Sequence, residues 1–156
     1  MHSDNSILIR APRERIFEIT TDLARWPKLL PHYRYINFLE RSDDGLCSKV
    51  KMACYRGVLP ISWVSNHEVK PDVFEQHFHH LKAFTKGMHV VWTYQSEGSD
   101  AVRVTILHEL KFRLRPLAPV MEPLLAHGFI EPVAGKTLAT FKQLLEAEAA
   151  GGPGIE

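Results

Sequence analysis

Cysteine is scarce: the 156 residues hold only Cys47 and Cys54, seven apart in one expected strand. Side chains at that spacing point to opposite faces of a strand, so no disulfide is expected and a reducing compartment fits. The chain has no apolar run of about 18 residues, which excludes a membrane-spanning helix. Residues Met1 to Asn5 lack the basic and apolar regions of a signal peptide. A cytoplasmic protein with no integral membrane association is expected. Excess charge of one sign is missing too, with 19 basic and 18 acidic side chains and a net charge of +1. With no Lys/Arg-rich run, nucleic acid is excluded as the principal partner. There is no G-x-S-x-G, phosphate loop, H-E-x-x-H or G-x-G-x-x-G. Covalent catalysis, phosphoryl transfer and nucleotide cofactors are therefore unsupported, and no cofactor is expected.

What is present fits one domain, residues 1–149, followed by a disordered Gly/Pro tail at 150–156. A chain of this length buries roughly 68–70% of its unfolded surface and can hold a core and a cavity without disulfides. A strand is expected from Ser3 to Ile9. Ala11-Pro12 then opens a helix with an apolar stripe of Ile16, Phe17, Ile19 and Leu23. Asp22 is placed to cap a second short helix, before the proline-bounded Trp26 to Pro31 turn. Six strands follow: Tyr35–Glu40, Leu46–Tyr55, Leu59–Val69, Val73–Phe84, Met88–Ser96 and Ala101–Arg113. Tight turns separate them and no helix-length segment intervenes, so the sheet is antiparallel. Ile130, Val133, Thr137, Phe141 and Leu144 give the last segment one apolar helical face, with Pro123 and Pro132 predicting a kink or break. The fold class is α+β: a curved antiparallel sheet of about seven strands wrapped on a long C-terminal helix, with two short helices between strands 1 and 2. A bent sheet and one helix leave space between them, and exposed strand edges would permit a homodimer.

Alternation assigns the strand faces. Leu59, Ile61, Trp63, Ser65, His67 and Val69 form the more apolar, inward face of their strand. Val50, Met52 and Cys54 face in, as do Met88, Val90, Trp92 and Tyr94 and the series from Val102 through His108 to Phe112. Trp63 and Trp92 read as ordinary core or as pocket wall. His67 reads as a satisfied half-buried histidine or as a functional one. Apolar walls with a few polar groups (Ser65, His67, His108) describe a ligand pocket. Unpartnered buried polar groups cost roughly 1–3 kcal/mol each, so these pair with one another or meet water or ligand. Nine histidines leave the net charge responsive near about pH 6.5. His77-Phe78-His79-His80 has no carboxylate or thiolate at ligand spacing, so a solvated strand face is expected there and no metal site. If the protein is an enzyme, its chemistry is acid–base work on a bound organic molecule, with His67 as titratable group and Tyr33 or Tyr35 as hydroxyl donor.

Several stretches together resemble the aromatase/cyclase proteins of bacterial aromatic polyketide synthesis. They are Asp4 to Ile9, Ala11-Pro12, Ile16-Phe17, Asp22, Arg25-Trp26-Pro27 with Leu30, Tyr33, Trp63-Val64-Ser65, and Lys86-Gly87-Met88 through Trp92-Thr93-Tyr94. The resemblance covers residues 4 to 145, and the wider group is the START/Bet v 1-like superfamily with its helix-grip fold. It implies a pocket that folds a reactive poly-β-ketone for enolisation, aldol closure and loss of water. Trp26, Tyr35, Met52, Trp63, Ser65, Met88, Trp92, His108 and Phe129 are the substrate-binding candidates, and His67 and Tyr33 the catalytic ones. The related cyclases carry an arginine four residues after the strand tryptophan, as proton donor and carbonyl anchor. Here that position is His67, which is near neutrality where arginine is permanently charged. The expected partner is a small hydrophobic or polyketide-like ligand. The competing reading is a non-catalytic carrier or chaperone for a lipid or quinone.

Overall fold

The computed structural model describes residues 1–112 and 115–156. Seven strands form one antiparallel sheet in the order β1-β7-β6-β5-β4-β3-β2. They are β1 His2–Ile9, β2 Tyr33–Arg41, β3 Cys47–Arg56, β4 Leu59–Lys70, β5 Glu75–His80, β6 His89–Glu97 and β7 Ala101–Glu109. Strands β2 to β7 run as a meander. Helix α1 (Arg13–Thr21), a 3₁₀ turn (Leu23–Arg25) and α2 (Trp26–Leu29) carry the chain from one edge strand to the other. The last Ala101–Arg113 strand ends by Glu109, and Arg113 lies outside the described residues.

The strand expected over Val73–Phe84 is shorter than the sequence suggests. Pro71–Val73 is a 3₁₀ turn and Phe74 takes a left-handed φ of 50°, so pairing starts only at Glu75. Apolar Val73 and Phe74 imitate strand residues, but Phe74 packs under the ring of Phe17 and the guanidinium of Arg13.

The C-terminal helix runs continuously from Ala118 to Ala149 as α3 (Ala118–Leu125), a π-turn (Ala126–Ile130) and α4 (Glu131–Ala149). The break falls where proline demands it. Pro132 has no N–H for the carbonyl of Gly128 four residues earlier, and Arg56 Nε donates to that oxygen instead, at 2.7 Å. Thr137, Leu138, Phe141 and Leu145 bury the face of α4 against the sheet. Leu145 takes the place expected of Leu144.

Residues 150–156, expected to be disordered, fold back. Gly151 at φ 89° ends α4, and Gly152 N–H returns to Ala147 O. Arg15 then clamps Glu148 through two hydrogen bonds of 2.7 and 3.0 Å and also donates to Ile155 O. This guanidinium holds the Glu148 carboxyl down at about 2. Among the described residues no helix is long and apolar enough to cross a membrane.

Candidate functional site

Trp26 is the hub of the interior. It is 2% exposed, and its ring meets Tyr33, Trp92 and Phe141 at 5.1–5.7 Å between centroids. Its Nε1 donates to Thr20 O. Strand alternation then sorts the inward polar side chains by their height on the sheet.

In the half reached by the β4–β5 turn, His67, Gln76, Tyr94 and Thr20 form one hydrogen-bonded network. His67 Nε2 and Gln76 Oε1 are 2.8 Å apart, and Gln76 Nε2 donates to Tyr94 Oη and to Thr20 O. Tyr94 Oη and Thr20 Oγ1 are 2.7 Å apart. Gln76 is fully buried and His67 is stacked on Phe78 at 4.5 Å. Because Gln76 Oε1 can only accept, His67 Nε2 carries the proton. Burial pushes His67 down to about 4.

The other half is hollow, leaving about 90 Å³ for the centres of water-sized molecules. At roughly 10–15 Å³ per water in that measure, several waters fit. The walls come from Trp26, Tyr33, Met52, Trp63, Met88 and Trp92, with Phe129 of the π-turn at the top. All seven are among the expected binding or catalytic positions. Phe84, half exposed, lies tilted against Phe129 at 5.7 Å and is the solvent-facing part of the lining, the mouth of the cavity.

The cavity's polar groups are His80, Thr85, His108, Tyr33 and Thr137. His80 Nδ1 is 2.7 Å from Thr85 Oγ1, and its ring lies parallel to Trp63 at 5.7 Å. Its Nε2 has no hydrogen-bond partner among the described residues. His108 is 7% exposed and its Nδ1 is buried without a partner. Desolvation pushes His80 down to about 3, with His108 and His79 adding to it. Desolvation pushes His108 down to about 4, against the pull of Glu131. Both rings are therefore neutral at neutral pH. Burial holds the Tyr33 hydroxyl well above the ordinary phenol range, so it stays protonated.

Three expected site residues lie elsewhere. His67 faces inward but beyond Phe78, committed to Gln76, and borders a shallow groove by the β2–β3 turn rather than the cavity. Tyr35 points outward: a bulge between Tyr33 and Tyr35 pairs Tyr33 with Cys54 but Tyr35 with Ala53, reversing its face. It sits under Arg34 and near Lys51. Ser65 is fully buried with an unpartnered Oγ, outside the cavity wall. His80 was missed because the histidine run reads as one solvated face. Only His79 is exposed; His77 shares its face but is largely covered beside His89 and Glu75, while Phe78 and His80 alternate inward, a signal the strand period already contains.

Residues 9–129 match the family model described as polyketide cyclase / dehydrase and lipid transport. The chain belongs to this polyketide cyclase/dehydrase family. A provisionally named polyketide cyclase of Streptomyces cyaneus is 28% identical over 120 residues, 76% of this chain and 77% of that protein. The ribosome association toxin RatA of Pseudomonas aeruginosa is 24% identical over 105 residues, 67% of this chain and 71% of its own. The solved structure of the Zhui aromatase/cyclase of Streptomyces sp. R1128 superposes with a TM-score of 0.76 at 14% identity, covering 98% of this chain and 99% of that one. That likeness shows a shared fold, the helix-grip arrangement of a seven-stranded antiparallel sheet on a long C-terminal helix.

Proposed function

We propose that the protein takes a small, largely apolar molecule bearing carbonyl groups into the cavity and promotes its aldol closure and dehydration. One observation carries the reading: two neutral imidazoles, His80 and His108, line a largely apolar chamber, and His108 Nδ1 is buried there without a protein partner. Burying that nitrogen costs free energy that a ligand oxygen would recover.

Enolisation moves a proton from a carbon between two carbonyls to a carbonyl oxygen. The enol carbon then bonds to a second carbonyl carbon, and the β-hydroxy ketone loses water. A neutral imidazole carries one N–H and one lone pair, so it donates to an oxygen or accepts the migrating proton without burying a lasting charge. Tyr33 contributes a hydroxyl donor, and the indoles of Trp63 and Trp92 hold the folded chain. The acid–base role expected of His67 passes to His80 and His108, since the His67 Nε2 proton is engaged by Gln76.

The test uses benzoylacetone as probe, following deuterium exchange at its central carbon by NMR. The wild-type chain is expected to exceed the protein-free rate. His80→Ala and His108→Ala are each expected to lose about a hundredfold, the low end of the usual range for one acid–base group. His67→Gln is expected to keep most of the exchange. Binding of the probe with no accelerated exchange would assign a carrier instead, and no binding would overturn the reading.

A further inference from the structure

An antiparallel meander sends alternate connections to opposite ends of the sheet. One end carries the β2–β3, β4–β5 and β6–β7 turns, residues 42–46, 71–74 and 98–100. These hold Asp43, Asp44, Asp72 and Asp100 and no Lys or Arg. The cavity end carries the β3–β4 turn at Gly57-Val58, the β5–β6 loop over 81–88, residues 110–112 and the start of α3. Residues 81–88, 110–112 and 116–117 hold Lys82, Lys86 and Lys111 and no acid. Among the described residues, Lys82, Lys86 and Lys111 are exposed and make no ion pair. Glu122 of α3 is neutralised by the Met1 ammonium at 3.1 Å, and Glu109 lies 3.6 Å from His2.

The exposed apolar side chains gather at the same end. Val58 at the hairpin tip is 97% exposed, and Val120 and Leu124 of α3 are 71% and 58% exposed. Phe84, between Lys82 and Lys86, is half exposed, as is Leu117. The three connections are joined through the π-turn: Arg56 bonds Gly128 O, Phe84 meets Phe129, and α3 runs into it. Phe84 and Thr85 of the β5–β6 loop and Phe129 of the π-turn line the cavity at this end.

We propose that this end is a docking face for an anionic lipid bilayer, on which the cavity mouth opens toward the membrane. Apolar side chains project singly from separate tips and from a short helix, with lysines set among them. That arrangement inserts into the boundary between headgroups and acyl chains while the cations meet anionic headgroups. A protein partner would need a complementary surface of roughly 800 Å² per side, whereas these side chains are divided among three separate connections. The proposal does not depend on the chemistry inside the cavity, and its test needs no cavity ligand.

The test is flotation of the full chain with vesicles of phosphatidylcholine, with and without phosphatidylglycerol. Binding to the anionic vesicles is expected to exceed binding to neutral ones by about tenfold or more and to weaken with salt. The Val58→Asp/Val120→Asp/Leu124→Asp variant and the Lys82→Glu/Lys86→Glu variant are each expected to lose about tenfold or more. Val73→Asp, an exposed apolar position at the opposite end, is the control and keeps binding. Circular dichroism checks that each variant is folded. Binding that ignores lipid charge, or that Val73→Asp abolishes equally, would overturn the proposal. So would binding to no vesicle, including the case in which an acidic soluble protein is captured instead.

Discussion

Lowering the pH from neutrality to about 5.5 is expected to destabilise this protein by histidine protonation alone. Four imidazoles are buried in neutral form: His32, His67 and His108 are pushed down to about 4 and His80 to about 3. Desolvation leads in every case. Lys136 adds to it at His32, Arg41 at His67, and the neighbouring histidines at His80, while Glu131 opposes it at His108. In the unfolded chain each titrates near about 6.5. Between those values the unfolded state binds more protons, so stability is complete above about pH 6.5 and falls as pH drops toward 4. At pH 5.5 each group costs on the order of 1 kcal/mol, and four cost roughly 4 kcal/mol, a large part of the 5–15 kcal/mol of a typical domain. The carboxylates do not confuse this window, because Glu148 is held at about 2 and Glu97, Glu131 and Glu146 are also lowered. Urea titrations at several pH values are the assay. With about 2 kcal/mol per molar of urea, the midpoint is expected to fall by about 2 M between pH 7.5 and 5.5. His67→Gln should remove about one proton from the slope. A midpoint that moves by less than about 0.5 M would refute the reasoning, because the imidazoles would then be charged or solvated in the fold.

Gln76→Leu strips partners from His67 Nε2, Tyr94 Oη and Thr20 O at once, and a loss of about 2–4 kcal/mol is expected in urea unfolding. Probe binding in the cavity should survive at permissive temperature. Ala83 sits at φ 70° in the β5–β6 loop, so Ala83→Gly is expected to stabilise by about 1 kcal/mol, read from the same titration. Phe84→Ala opens the mouth. Stopped-flow mixing with benzoylacetone should show association and dissociation both faster, with Kd changed by less than about threefold, since the ring gates more than it holds.

Local periodicity made much of the architecture legible. Alternation placed Met52, Trp63, Met88, Trp92 and His108 on the inner face, and all five line the cavity. It separated exposed Cys47 from buried Cys54. The proline positions announced the interruption that became the π-turn before Pro132. These features depend on a strand's period of two or on a missing N–H, both properties of a few neighbouring residues. Tyr35 escaped because a bulge, invisible in composition, shifts the side chains from Tyr35 to Phe38 by half a period.

Which inward histidine meets the cavity was decided only in three dimensions. His67 and His108 have the same standing in their strands, inward among apolar neighbours. What separates them is register: β5 brings the Gln76 amide to His67, while nothing among the described residues reaches His108 Nδ1. A strand's sequence dictates which side it presents, because alternation is built into the extended backbone. Which groups are satisfied depends on partners contributed by other strands and helices. The clustering of apolar tips and lysines around one mouth arises in the same way, since the meander gathers connections that lie far apart along the chain.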